Sequence, residues 1–249
     1  MQLLLDIGNT HTHVGIVKGN RLGRDKTFLT KDWKTGHIES QLNTFIGRED
    51  FDRAMLCSVV PEAEKEALFW LHCQTIPTTV LSHRNCGVPI DYPKPATIGP
   101  DRLANARAAL ELYGSPVVVV DFGTAVTFDI VDKRGHYVGG IIAPGIAAMT
   151  DYLHEKTALL PRITVRPPAP DSVIGKSTVD AMRIGAVHGY RGLVSSLLAQ
   201  IKDEMGAEKL TVVATGGAAD LIAGQVPEIA AVNPQLTLEG LRLVAASTK

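Results

Sequence analysis

Twice the chain runs a short apolar strand into an acid-x-glycine turn and out again along a second strand. The first passage is Leu3-Leu4-Leu5-Asp6-Ile7-Gly8-Asn9-Thr10, and the second is Val117-Val118-Val119-Val120-Asp121-Phe122-Gly123-Thr124. Apolar residues resume at 12–17 and again at 24–29 after the first turn, and at 124–131 and 137–142 after the second. Each half therefore opens as strand, turn, strand and third strand, with helices following. One such turn is an ordinary hairpin, but two in matching context predict a duplicated α/β domain with a cleft between the copies.

The remaining pattern fits that division. Helical spacing covers 38–46 and 62–71, with a strand over 54–59 between them and Pro61 opening the second helix. Residues 87–100 hold four prolines and two glycines and read as a long loop, of the kind that carries function in compact enzymes. A helix over 102–112 stops at Gly114 and Pro116. The valine run at 117–120 predicts a strand buried on both faces. Further on come a proline-rich loop over 162–171, a long helix over 178–205, a strand over 210–214, a Thr215-Gly216-Gly217 turn, a short helix over 218–223 and a helical tail over 236–246. The expected domains are 1–115 and 116–249.

The turns suggest chemistry as well as shape. A glycine lets a phosphate approach the backbone, while Asn9 and Thr10 add small polar donors. Asp6 suits a Mg²⁺ held through water, since that ion keeps several waters and takes one or two carboxylates. A plain hairpin explains the first turn alone; the second, with Asp121, Gly123 and Thr124, favours a shared phosphate site. Gly216 and Gly217 would suit the adenosine end. At the end of the long loop, Gly99-Pro100-Asp101-Arg102 opens a helix. Asp101 there is a candidate general base and Arg102 a clamp for a carboxylate or phosphate; an ordinary helix cap is the alternative. A carboxylate at a helix start is expected to have a low pKa. His11 and His13 alternate onto one face of their strand, but two histidines without a third ligand make a poor metal site.

Other classes are disfavoured. A formal net charge of −1 gives no basic stripe for nucleic acid. Neither a catalytic G-x-S-x-G nor H-E-x-x-H is present, and no Walker A sequence, so ATP would need another kind of site. Three dispersed cysteines, Cys57, Cys73 and Cys86, read as reduced thiols of a cytoplasmic protein. The apolar run at residues 3–5 is too short for a signal peptide, and no run reaches membrane-spanning length.

Taken in order, these motifs resemble the type III pantothenate kinases. The resemblance rests on Asp6-Ile7-Gly8-Asn9-Thr10, Gly99-Pro100-Asp101-Arg102 and Asp121-Phe122-Gly123-Thr124-Ala125. Two further runs join them, Tyr137-Val138-Gly139-Gly140-Ile141-Ile142-Ala143-Pro144-Gly145 and Gly175-Lys176-Ser177-Thr178. It implies the fold of the actin, sugar kinase and heat-shock chaperone superfamily: two ribonuclease H-like domains of related topology flanking an ATP cleft. The implied reaction moves the ATP γ-phosphate to the primary hydroxyl of pantothenate, giving 4′-phosphopantothenate, the first step of coenzyme A biosynthesis. By this resemblance Asp6, Ile7, Gly8, Asn9, Thr10, His11, Thr12, His13 and Thr124 bind ATP, with Asp6 on Mg²⁺ through water. Asp101 is the catalytic base, while Tyr92, Gly99, Pro100, Asp101, Arg102 and Thr178 bind substrate. Asp121 holds a monovalent cation, K⁺ or NH₄⁺. A homodimer is implied, with no nucleic-acid or membrane partner. The alternatives are another small-alcohol or sugar kinase, and a non-catalytic regulator or scaffold keeping the fold.

Overall fold

The computed structural model describes residues 1–166 and 172–247, so the second half of the loop expected over 162–171 lies outside the described residues. The chain forms two compact units, Met1–Leu112 with Gln235–Lys249, and Tyr113–Pro234.

In the first unit, β1 (Gln2–Ile7), β2 (His11–Lys18) and β3 (Arg21–Leu29) form an antiparallel meander, while β4 (Arg53–Ser58) and β5 (Thr78–Val80) add in parallel on the other side of β1. The sheet order is β3-β2-β1-β4-β5. Successive strand residues face opposite ways, and β1 uses both faces. Leu3, Leu5 and Ile7 join Val14, Ile16 and Leu56 in a core with residues of α1 (His37–Ile46) and α2 (Pro61–Cys73). Leu4 and Asp6 take the other face. There α7 (Leu236–Ser247) crosses β1, β2, β3 and β4. Gly240 of α7 lies against the backbone of Ala104 in α3 (Pro100–Tyr113), where an added Cβ would sit 2.9 Å from the Ala104 Cα.

The second unit repeats the plan: β6 (Val117–Phe122), β7 (Ala125–Val131) and β8 (Tyr137–Pro144) are antiparallel, and β9 (Thr211–Thr215) and β10 (Ala231–Val232) extend the sheet in parallel beyond β6. Its order, β10-β9-β6-β7-β8, is the first sheet's order read from the other edge. Val118, Val120 and Phe122 pack with Tyr190, Val194 and Leu198 of α5 (Thr178–Glu204), and with Ile222 of the short α6 (Ala219–Ile222).

The duplication expected from the two turns is therefore present down to register. Asp6 pairs with His13 across the hairpin and with Cys57 on β4; Asp121 pairs with Thr127 and Thr215 at the corresponding positions. Two things differ from the sequence reading. Residues 235–249, expected in the second domain, pack with the first unit, because the buried face of α7 is completed by β1–β4 and α3. The helix α4 (Ile146–Lys156) and the short fifth strands β5 and β10 were not anticipated.

Candidate active site

The first turn lies where β1 stops. Gly8 donates its N–H to the His11 carbonyl at 2.9 Å, closing the turn, and Asn9 and Thr10 are exposed at its tip. Thr12 departs from the expected arrangement. Strand alternation sends its side chain to the face opposite Asp6, where it is fully buried and its hydroxyl receives the Trp33 Nε1 hydrogen at 3.1 Å. His11 and His13 do share a face, with ring centroids 6.2 Å apart, and His13 Nδ1 lies 3.0 Å from Thr27 Oγ1. Loss of solvent around the ring, then the neighbouring His11, hold the His13 imidazole below its ordinary value, with Asp25 opposing. Among the described residues no group of three or more His, Cys, Asp or Glu side chains could hold a metal. A cation at Asp6 would therefore draw most of its shell from other oxygens, those of water and phosphate among them.

Cys57, opposite Asp6 on β4, is the group that sequence reasoning passed over here. It is completely buried, and its thiol is pushed well above the ordinary range by burial first, then by the negative charges of Asp6 and Asp101. The thiol keeps its proton and hydrogen-bonds the Asp6 carboxylate. That Cys57 senses both carboxylates places the Asp6 turn and the Asp101 loop end in one neighbourhood of the first unit.

Asp101 stands in the first turn of α3, after Pro100. Its Oδ1 accepts the Arg102 N–H at 2.9 Å, and the Gly99 carbonyl accepts the same N–H at 3.1 Å. Gly99 is needed for this packing, since a Cβ on it would meet Asp101 Oδ1 at 2.5 Å. The expected low pKa is not found: burial raises the Asp101 carboxyl, outweighing the Arg102 backbone bond and charge that lower it. Tyr92 lies in the preceding loop and is 39% exposed.

In the second unit Asp121 stands one residue before the end of β6, near glycines. Gly216 has φ +89°, and a Cβ there would lie 2.5 Å from Asp121 Oδ1 and 2.6 Å from the Phe122 carbonyl carbon. The lack of a side chain at Gly216 is thus accounted for by Asp121 and Phe122, without a nucleotide base. A Cβ on Gly123 would stand 3.5 Å from the same carboxylate oxygen. Thr124 is exposed beside this turn, and its carbonyl accepts the Gly145 N–H at 3.2 Å. Thr178 is the first residue of α5; the preceding Ser177 caps the helix by accepting the Asp180 N–H at 3.1 Å. With Pro144, Met149, Tyr152, Leu153 and Met182, Thr178 lines an apolar cavity of about 770 Å³.

Comparison with known proteins decides the family. The type III pantothenate kinase family model matches residues 2–200. The chain belongs to the type III pantothenate kinase family. It is 46% identical over 248 residues to the type III pantothenate kinase of Methylacidiphilum infernorum, covering 97% of this chain and 87% of that one. Among solved structures, it resembles a conserved Baf family protein of Campylobacter jejuni with a TM-score of 0.62 at 21% identity, covering 98% of this chain and 97% of that one. It also resembles an archaeal actin homolog with a TM-score of 0.57 at 13% identity, covering 99% of each chain. Both likenesses support the actin-like fold implied by the family resemblance.

The raised Asp101 carboxyl has a measurable consequence. A carboxyl whose folded pKa lies above its unfolded value favours the fold while protonated, and that contribution is lost as pH rises through the folded pKa. Asp101→Asn should therefore melt at a higher temperature than the wild type at neutral pH. The difference should shrink steadily as pH is lowered toward the ordinary carboxyl value of 3.8. Melting curves across this pH range check it; a difference that does not vary with pH would contradict the raised pKa.

Proposed function

We propose that this pantothenate kinase uses Asp101 as the base toward the primary hydroxyl of pantothenate, with the Asp6 turn handling the phosphates of ATP. The observation that carries this reading is the partly buried Asp101 carboxylate, raised in pKa and sharing the surroundings of Cys57 with Asp6. Transfer of the ATP γ-phosphoryl group to that hydroxyl gives 4′-phosphopantothenate. Such a transfer depends on positioning and charge neutralisation more than on a strong base. A carboxylate above its usual range accepts the hydroxyl proton more readily than a solvent-exposed one.

The remaining roles follow the family resemblance, adjusted by what each side chain touches. Asp6 holds Mg²⁺ through water, and Ile7, Gly8, Asn9, Thr10, His11 and His13 bind phosphate or line its approach, with Thr12 supporting the turn from its buried face. Thr124 adds an ATP contact. Arg102 takes the pantothenate carboxylate, a planar fork suited to that group, and Tyr92, Gly99, Pro100 and Thr178 contribute to substrate binding. Mg²⁺, when bound, neutralises charge on the transferring phosphates. The Asp121 carboxylate fits a monovalent cation, K⁺ or NH₄⁺: it stands near the end of its strand, with the backbone of Gly216 close against it to supply further oxygen ligands.

We also propose a cytoplasmic homodimer. The support is an apolar stretch on α4 and α5, where Tyr152 is 62% and Val179 46% exposed.

Three measurements test these assignments. Asp101→Ala should lower kcat by about 10²–10⁴-fold if Asp101 is the base; near-normal turnover would remove it from that role. Replacing K⁺ with Na⁺ should slow the wild type and have little effect on Asp121→Ala, whereas equal wild-type rates in the two salts would argue against the cation site. Light scattering during gel filtration should give twice the 26.7 kDa chain mass, and Tyr152→Glu should shift it toward the monomer; a monomeric wild type sinks the dimer.

A further inference from the structure

The phosphate turn is fastened from behind by three side chains that no sequence motif marks as a group. Thr30 Oγ1 donates to the Gly8 carbonyl at 2.7 Å, and the Thr30 N–H donates to the Thr10 carbonyl at 3.0 Å. Thr12 Oγ1 lies 3.0 Å from Thr30 Oγ1, and Trp33 Nε1 donates to Thr12 Oγ1 at 3.1 Å. Thr12, Thr30 and Trp33 are 0, 4 and 3% exposed, so water does not compete for these bonds. One proton arrangement satisfies the whole chain. Trp33 donates to Thr12, Thr12 donates to Thr30, and Thr30 donates to Gly8.

The direction of that relay matters for the turn. In a trans peptide the carbonyl of one residue and the N–H of the next point to opposite sides. Pinning the Gly8 carbonyl toward Thr30 therefore aims the Asn9 N–H away from the core, on the exposed side of the turn. Without the pin, a glycine peptide is among the easiest in the chain to rotate, because Gly8 has no Cβ to restrict it. The Gly8 N–H is already spent on the His11 carbonyl, so the orientation of the Asn9 amide has added weight.

We infer that Thr30, backed by Thr12 and Trp33, is a positioning residue for ATP, fixing the Gly8–Asn9 peptide with its N–H directed at the phosphates. This rests on the reading of the Asp6 turn as the phosphate site. Thr30 touches no reacting atom; its effect is confined to the shape of the turn.

Steady-state kinetics on the full chain, with ATP and pantothenate varied separately, test the inference. Thr30→Val keeps the branched shape and removes the hydroxyl. It should raise the KM for ATP about tenfold, the order expected when a buried carbonyl loses its donor. The KM for pantothenate should stay near the wild-type value. Thr30→Ser should restore the ATP value, and Trp33→Phe, which removes a donor two bonds back, should shift it in the same direction by less. If Thr30→Val does not fold, Trp33→Phe decides. An unchanged ATP KM in the folded variants overturns the inference. So does a Thr30→Ser variant as impaired as Thr30→Val, or an equal rise in both KM values, since each marks a merely structural role. Asp6→Asn separates the two levels. If it raises the ATP KM while Thr30→Val does not, only the brace is lost; if it also leaves the ATP KM unchanged, the phosphate reading of the turn fails with it.

Discussion

A β-strand sends alternate side chains to opposite faces, and this fold turns that rule into a site at the end of its central strand. In β1, Leu3, Leu5 and Ile7 enter the α1–α2 core, which frees the other face for Leu4 and then Asp6. In β6, Val118, Val120 and Phe122 enter the α5 core, and Asp121 takes the opposite face. Each acid stands one residue before its strand ends, so the same strand supplies burial along its length and a carboxylate at its tip. A glycine stands two residues after each acid, where a Cβ would crowd a carbonyl of the turn: His11 at 3.1 Å from Gly8, Ala125 at 3.3 Å from Gly123. The alternation also explains the split within the first turn. Thr12 falls on the core face and becomes part of the brace, while His11 and His13 fall on the face of Asp6.

Asp101 shows why a local rule needs a magnitude before it is applied. A carboxylate in the first turn of a helix gains about 0.3–1 kcal/mol from the helix end when exposed. Removing water from the same carboxylate opposes ionisation by an amount that reaches several pKa units in buried sites. In this loop the second effect wins, because Gly99 lets the chain close tightly over the carboxylate. The group that the loop places at the start of α3 is thereby a better proton acceptor than the helix position alone would make it.

Much of the architecture was legible because it rests on periodicity that a strand or a long helix displays over many residues. The two meanders, the long α5 and the valine strand β6 are of this kind. Short elements held in place by neighbours were not. β10 is two residues long and exists because β9 offers an edge; α4 spans eleven residues and leaves Tyr152 and Leu153 exposed. The placement of α7 was invisible for a different reason. Which sheet a C-terminal helix covers depends on packing such as that of Gly240 against Ala104, and chain order carries no record of it. In the site, the residues on motifs could be named from sequence. Thr30, Trp33 and Cys57 could not, since each matters only through a partner that strand register supplies.

The duplicated acids have diverged in their surroundings, and that divergence bears on what each is proposed to hold. Asp6 faces a buried thiol that also senses the Asp101 charge, so its neighbourhood carries two carboxylates. Asp121 faces Thr215 at the equivalent position and is bordered by Gly216 and Gly123, which leaves a carboxylate among backbone groups. Charge count and ligand rigidity discriminate between hard cations. A carboxylate beside a thiol that keeps its proton retains its full negative charge, which suits a divalent ion brought with the nucleotide. One carboxylate among peptide dipoles suits a weaker field and a larger, singly charged ion. The same strand-end position, copied twice, thus supports the proposed Mg²⁺ role in one unit and the proposed monovalent role in the other through the residues beside it rather than through the acid itself.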